Sequence, residues 1–466
     1  MSAVFRFILV CSKMGAGTGS GKGFAKIFGL TAASVRIESR VGRYWRKVAS
    51  KRTENMRIGI LGPIGTADVQ HLLDMSDPAS LPPGTPSAPF MGTLITAFLE
   101  LGHEVVAFTS QRTVDPDGPL RHLDGPGFRL WLCPSRPNGT LPRCGRIGRV
   151  WDFFRLERRR LAEAVASERV DILHAHWIYE YAMVAIRSGL PAIATAHDVP
   201  AEILRFTPTP YTLGRYMMAR QVLKSGIPIT AVSDYAAASM AGLVTQPITV
   251  VANPLPAWLR TLKKCEQSKN ATIASESAPF VIAMVVGHWN RFKNPLPAIL
   301  AFLELKKKLP GICELRLYGS DFGPSGKAER FLRGANLPLE GIRLRGKVEH
   351  RELLHEMQSV SLLLHPSLTE TFGMAIAEAM AIGIPIIAGV RSGAVPWLLD
   401  QGRAGQLVDV TDSKAIYDAI IRIFENPGEI EAQCEVARTR AWQLADPHAT
   451  AEQYLDVYRN VLARTV

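Results

Sequence analysis

Cysteine is scarce in this chain, and its scattered placement does not read as a disulfide frame. The six residues, at 11, 133, 144, 265, 313 and 434, form no CxxC pair, which excludes a disulfide-stapled scaffold and a ribbon-type zinc site and fits reduced thiols. Long apolar runs are missing too: none approaches the ~18 residues of a membrane span. Phe7–Cys11 is too short and too close to Arg6 for a secretory signal, so the sequons at Asn138 and Asn270 carry no glycosylation reading. The body also lacks excess charge. Residues 1–55 hold eleven Lys and Arg against Glu38 and Glu54, a net +9 of the chain's +12. The remaining +3 is too little for a broad nucleic-acid footprint. The Gly-rich segment Gly15–Gly23 imitates a phosphate loop but has Ala16 at the first glycine and Gly23 in place of the magnesium-binding hydroxyl. Residues 1–55 therefore read as a basic leader outside the fold: a disordered arm, a contact with anionic lipid, or a start codon placed too early, since Met56 opens MRIGILGP as a fresh first strand.

What remains is a chain of 466 residues, 47% hydrophobic, enough for two or three buried cores. From Met56 short apolar runs alternate with helix-length segments, the pattern of parallel sheets covered by helices. Strands are expected at 58–61, 105–109, 172–175, 192–196, 229–232 and 249–251, and a second set begins at 280–286. The polar, proline-containing stretch between the sets reads as a linker. The domains expected are thus 56–255, a linker at 256–279, and 280–445, followed by a terminal helical segment at 446–466.

The most informative stretch is Glu370-Thr371-Phe372-Gly373-Met374-Ala375-Ile376-Ala377-Glu378. Ser359–His365 reads as a buried strand and Met374–Ala381 as a helix stopped by Gly383 and Pro385. The loop lies at the carboxyl end of the strand, and the helix N-terminus presents free N–H groups to an anion such as a pyrophosphate. Two acids eight residues apart arise by chance roughly four times in a chain of this composition. Context therefore carries the weight, and the plain alternative for Glu378 is a solvated helix face.

That context resembles the carboxyl-terminal domain of the retaining glycosyltransferases of the family-4 (group 1) type, which have the GT-B fold. The matching pieces are VGHWNRFKN (286–294), LRLYGS (315–320), HPSLTETFGMAIAEAMAIGIPIIA (365–388) and GRAGQLVDVTD (402–412). The resemblance implies two Rossmann-like domains facing across a cleft, the first for the acceptor and the second for a nucleotide sugar, with the C-terminal helix crossing back to the first. The donor site would be Gly287, His288, Arg291, Lys293, Gly319, Thr371, Phe372, Gly373 and Glu378, with Glu378 on the ribose and Glu370 on the transferring sugar. Two residues depart from the family. His288 stands where an Arg is usual, which leaves Arg291 to restore a permanent cation, and Trp397 stands where Glu is frequent.

In the first half, Gly62 and Gly65 follow the first strand, His174 and His176 end another, and His197-Asp198 ends the next. The histidines by themselves admit metal binding, plain packing or ligand contact. The resemblance favours contact, with His197 near the reacting sugar and His174, His176 and Asp198 lining the cleft. Asp115-Pro116-Asp117 is read as a chance DxD in a turn. The function implied is retaining transfer of a hexosyl unit from a UDP- or GDP-sugar to a hydroxyl of a glycan, lipid-linked or small-molecule acceptor, in polysaccharide or glycolipid assembly. The catalytic residues would be His197, Lys293 and Glu370, with no metal and no cofactor beyond the donor. The expected partners exclude nucleic acid and include a peripheral membrane contact, and the expected place is the cytoplasm or the inner membrane face. A sugar-nucleotide epimerase or phosphorylase, or a non-catalytic nucleotide-sugar binder, would suit the same fold.

Overall fold

The alternating pattern resolves into two sheets in the computed structural model, which describes residues 55–74, 82–85, 88–113, 115–143, 145–262, 279–309 and 313–465. The readings placed on residues 1–54, on Cys144 and Cys265, on the Asn270 sequon and on most of the linker lie outside that range. The first sheet contains β1 (Arg57–Leu61), β2 (Glu104–Gln111), β3 (Arg121–Gly125), β4 (Phe128–Pro134), β5 (Ile172–His176), β6 (Ala192–Ala196), β7 (Ile229–Ala231) and β8 (Thr249–Val250), in the order 3-4-2-1-5-6-7-8. Its pairs are parallel except β3 with β4. That hairpin leaves little trace in the sequence because β3, RHLDG, is largely exposed and has no apolar run.

The second sheet contains β9 (Phe280–Val285), β10 (Cys313–Tyr318), β11 (Ile342–Gly346), β12 (Leu362–His365), β13 (Ile386–Gly389) and β14 (Gln406–Val408), all parallel, in the order 11-10-9-12-13-14. Strands covered on both faces read as continuous apolar runs, and all four residues of β12 are buried. Cys133 and Cys313 are buried thiols, pushed up to about 12 and about 11 by burial, which makes them poor nucleophiles.

The helix expected at 374–381 runs Met374–Ile382, and Gly383 closes it in the left-handed conformation that glycine takes without steric cost. Seven of its nine residues are buried, so it sits inside the lobe and Glu378 goes inside with it. The terminal helix Pro447–Thr465 returns to the first sheet, where Tyr458 packs against Phe98 and pairs with His174. Across the cleft, Ser233 Oγ donates to the Thr371 carbonyl at 2.6 Å and Thr369 Oγ1 donates to Glu202 at 2.8 Å. The carboxyl ends of the two sheets therefore face each other.

Candidate active site

In open parallel sheets, a crevice opens where the strand order reverses. In the second sheet that point lies between β9 and β12, so the loop after β9 (Gly287–Asn294) and the loop after β12 (Pro366–Gly373) are forced together. They are tied by the Leu368 amide to the Phe292 carbonyl at 2.9 Å and by the Asn294 side-chain amide to the Pro366 and Val410 carbonyls. Seventy-seven residues of sequence separation collapse to one contact: Lys293 Nζ lies 2.6 Å from Glu370 Oε1. His365 Nε2 approaches the same oxygen at 2.9 Å. Burial alone would raise the Glu370 pKa. The Lys293 charge and the hydrogen bonds from His365 and Lys293 outweigh it and hold the carboxyl well below the usual glutamate range.

The next turn begins at Gly373, with φ of 94°, and no side chain caps the helix. Its first N–H groups have no intrahelical acceptor and stand beside the Lys293–Glu370 pair. Phe372 is buried, 6.3 Å ring to ring from Trp397, so only its backbone is offered to the cleft, and the departure at Trp397 has a packing role. Glu378 is 6% exposed and accepts from His350 Nε2 at 2.7 Å. Burial works to lower the His350 pKa, but Glu378, with help from Asp68 and Glu349, lifts it above the ordinary histidine value. The solvated-face alternative for Glu378 is thereby corrected, because the helix is enclosed nearly all round.

Gly287 leads into an exposed His288, whose Nδ1 is 3.0 Å from Ser320 Oγ and 3.6 Å from Asp321. Arg291 is exposed and makes no ion pair among the described residues. Gly319 has φ of 136°, and a Cβ there would stand 2.0 Å from the Val286 carbonyl. Only a glycine lets the ends of β9 and β10 approach this closely.

In the first sheet the order reverses between β1 and β5, and this brings Gly62 against His176, whose Cβ is 3.3 Å from where a Gly62 Cβ would lie. Gly65 bridges Gly84 and begins the short helix Thr66–Val69. His176 Nδ1 is 2.8 Å from His197 Nε2, and His197 packs on Trp177 and Phe90. Burial lowers all three imidazoles: His197 to about 3, despite a hydrogen bond with Asn253, and His174 and His176 well below the ordinary value. Near neutral pH they are uncharged. The placement of His174 in the cleft needs correction. It is fully enclosed, with Nδ1 2.7 Å from Tyr458 and Nε2 2.6 Å from Thr195, because the strand face it shares with His176 is covered at that point by the returning helix. Asp198 is spoken for as well, accepting from Tyr179 at 2.7 Å and facing Arg215 at 3.5 Å, and burial raises its pKa against the Arg215 charge. No group of three or more His, Cys, Asp or Glu among the described residues is arranged to hold a metal ion.

Two cavities lie between the lobes. One, of about 490 Å³, is lined by Asp68, Phe90, Thr93, Trp258, His350 and Met374. The other, of about 120 Å³, is lined by Glu202, Phe206, Phe292, Thr369 and Glu370 among others. Sequence reasoning had assigned no role to His350, His365, Glu202 or Gly393. Gly393, with φ of 62°, bridges Glu370 and leaves no room for a Cβ, which would be 2.4 Å from the Glu370 carbonyl. A Ser-Gly pair after a strand was its only trace. His350 had none, because its partner lies 28 residues away.

Two facing Rossmann-like lobes with a cationic, amide-rich turn at the switch point have the GT-B fold. A family model described as Glycosyl transferases group 1 matches residues 268–440, and one described as Glycosyltransferase Family 4 matches residues 90–257. The chain belongs to the group 1 glycosyltransferases. It is 26% identical over 331 residues to a D-inositol 3-phosphate glycosyltransferase of Nocardioides sp., covering 66% of this chain and 71% of that one. In structure it is similar to the sucrose-phosphate synthase of Thermosynechococcus elongatus, with a TM-score of 0.67, 19% identity and coverage of 88% and 100%. It is also similar to Anabaena HepE in complex with UDP-glucose, with a TM-score of 0.60, 16% identity and coverage of 87% and 100%.

Proposed function

We propose that this glycosyltransferase moves a hexosyl unit from a UDP- or GDP-sugar to a hydroxyl acceptor with retention at the anomeric carbon. The reading is carried by the Lys293–Glu370 pair at the switch point, beside the uncapped N-terminus of the helix bearing Glu378. In the net step, the bond from the anomeric carbon to the diphosphate oxygen breaks and the acceptor oxygen bonds to that carbon. The acceptor proton leaves with the departing diphosphate. Negative charge grows on the diphosphate, so the demand is for fixed cations and N–H groups aimed there. Lys293, the exposed Arg291, His288 and the amides of Thr371 to Gly373 meet it, with Gly287 and Gly319 giving the backbone room to approach.

Glu370, kept ionised by Lys293 and His365, is an acceptor for the hydroxyls of the transferring sugar. Glu378 is an acceptor for the ribose. Neutral His197 hydrogen-bonds at the reacting centre from the facing lobe in this reading, with His176, Gly62, Gly65 and Asp198 shaping the acceptor side. The UDP-glucose held by the Anabaena protein supports a nucleotide-sugar donor, and the name of the Nocardioides relative supports a polyol hydroxyl as acceptor.

A thermal-shift panel of UDP-, GDP- and ADP-sugars identifies the donor, because a ligand that binds only the native form raises its melting point. With that donor, nucleotide release is expected only when an acceptor is present, with the product in the donor's anomeric configuration. A folded Glu370→Ala protein that turns over at the wild-type rate would falsify the assignment.

A further inference from the structure

The strongest feature left unused by this chemistry is a groove of about 640 Å³ between the helices Arg155–Ala166 and Glu180–Arg187. None of its residues belongs to the cleft. Arg155, Arg158, Arg159 and Arg187 line it, over an apolar floor that includes Val165, Met183 and Leu190. Among the described residues only Arg159 of the four has a carboxylate partner, Glu163 at 3.4 Å on the surface. Glu168, the one acid in the lining, is taken by Arg57 and Arg129, each at 2.9 Å. Arg158 Nε and Nη1 are buried with no hydrogen-bond partner. Buried guanidinium donors without acceptors are costly: burial is the main cause that lowers the Arg158 pKa, Arg187 and Arg155 add like-charge repulsion, and Asp152 and Glu157 offset part of it. An anion in the groove would accept from the unpaired donors.

The segment of chain that runs into the first of these helices carries exposed apolar side chains. Leu141, Ile147, Trp151 and Phe153 are exposed by 76%, 52%, 57% and 38%. Trp151 is held in place by its Nε1 donating to the Thr140 carbonyl at 2.8 Å. Gly214 packs against Val150, which sets the exposed Leu213 and Met217 of the helix Pro210–Leu223 beside this loop. These six are the majority of the ten exposed large hydrophobics among the described residues. Exposed apolar side chains concentrated on two neighbouring segments mark an interaction site. Four of the six are aliphatic and offer nothing to a base or a phosphate, whereas apolar side chains bordered by arginines match the acyl boundary and the headgroups of an acidic bilayer.

We propose that this face docks the chain on an anionic membrane, the loop side chains entering the interface and the arginine groove receiving a lipid phosphate. The inference is independent of the donor and acceptor assignments. The test is sedimentation of the full chain with vesicles of phosphatidylcholine alone and of phosphatidylcholine mixed with phosphatidylglycerol. Binding is expected on the mixed vesicles only, falling with salt. The basic leader also favours acidic vesicles, so the variants decide. Arg155→Gln/Arg159→Gln is expected to weaken partition about 30-fold, from about 1 kcal/mol per arginine, and Trp151→Ala to weaken it separately, both with unchanged far-UV dichroism and unchanged transfer to a soluble acceptor. Partition untouched by either variant, or equal partition onto neutral vesicles, overturns the proposal. So does a melting point raised by glycerol phosphate in a chain that ignores vesicles, which would make the groove a site for a free anion.

Discussion

Lys293 and Glu370 hold each other at 2.6 Å, so removing either leaves the other without its charge partner. Lys293→Ala is expected to weaken diphosphate binding about 10- to 100-fold, the value of a charged hydrogen bond. Calorimetric titration with UDP and GDP checks this, and unaltered affinity for both refutes the role. The acidic limb of stability has a definite sign. The Glu370 pKa is depressed in the fold, so its contribution is complete above the ordinary glutamate value, about 4.3, and is lost as pH falls through the depressed value. The His197 pKa is likewise depressed, to about 3, and protonation favours the unfolded chain. Stability is therefore expected to decline as pH drops below about 6.5, by up to about 1.4 kcal/mol per unit for each enclosed imidazole. Denaturant melts from pH 8 to pH 5 measure it, and a flat profile would mean that these rings are solvated.

At the scale of elements, the turn at Glu370 depends on backbones brought closer than side chains permit. Gly393 bridges Glu370 from the loop after β13, and its amide neighbour Ala394 donates to the Glu370 carbonyl at 2.8 Å. Gly393→Ala must strain a positive φ and displace that carbonyl, at a cost of about 1–3 kcal/mol. The expected result is a raised KM for donor with the protein still folded, read by steady-state kinetics beside a thermal melt. Unchanged kinetics would show that the Glu370 backbone is positioned by β12 alone. The helix carrying Glu378 obeys a different constraint: a face that is buried all round gives no amphipathic signal, so burial of Glu378 could not be read from periodicity.

For the whole molecule, the returning helix Pro447–Thr465 is a structural part of the first lobe. Tyr458 and Thr195 satisfy both nitrogens of a fully buried His174. Tyr458→Phe leaves Nδ1 without a partner and is expected to cost about 1–3 kcal/mol, lowering the melting temperature by a few degrees while donor affinity in the second lobe stays the same. A variant that melts like the wild type would mean that the ring rearranges to another acceptor. The contacts Ser233 to Thr371 and Thr369 to Glu202 cross between lobes within two residues of Glu370, so the position of this turn is coupled to the packing of one lobe on the other.

Alternating apolar runs and turn residues, which are local properties, made six of the eight strands of the first sheet, β9 and β12 of the second, the helix from Met374 and the Gly383 stop readable in advance, but not the β3–β4 hairpin. The ordered motifs from Val286 to Asp412 did the same for the family. Contacts were another matter. The Lys293–Glu370 and His350–Glu378 pairs, the withdrawal of His174 from the cleft and the arginine groove arise from strand order and from which helix covers which face. These are set by long-range packing of residues far apart in the chain, and a linear pattern carries no record of them.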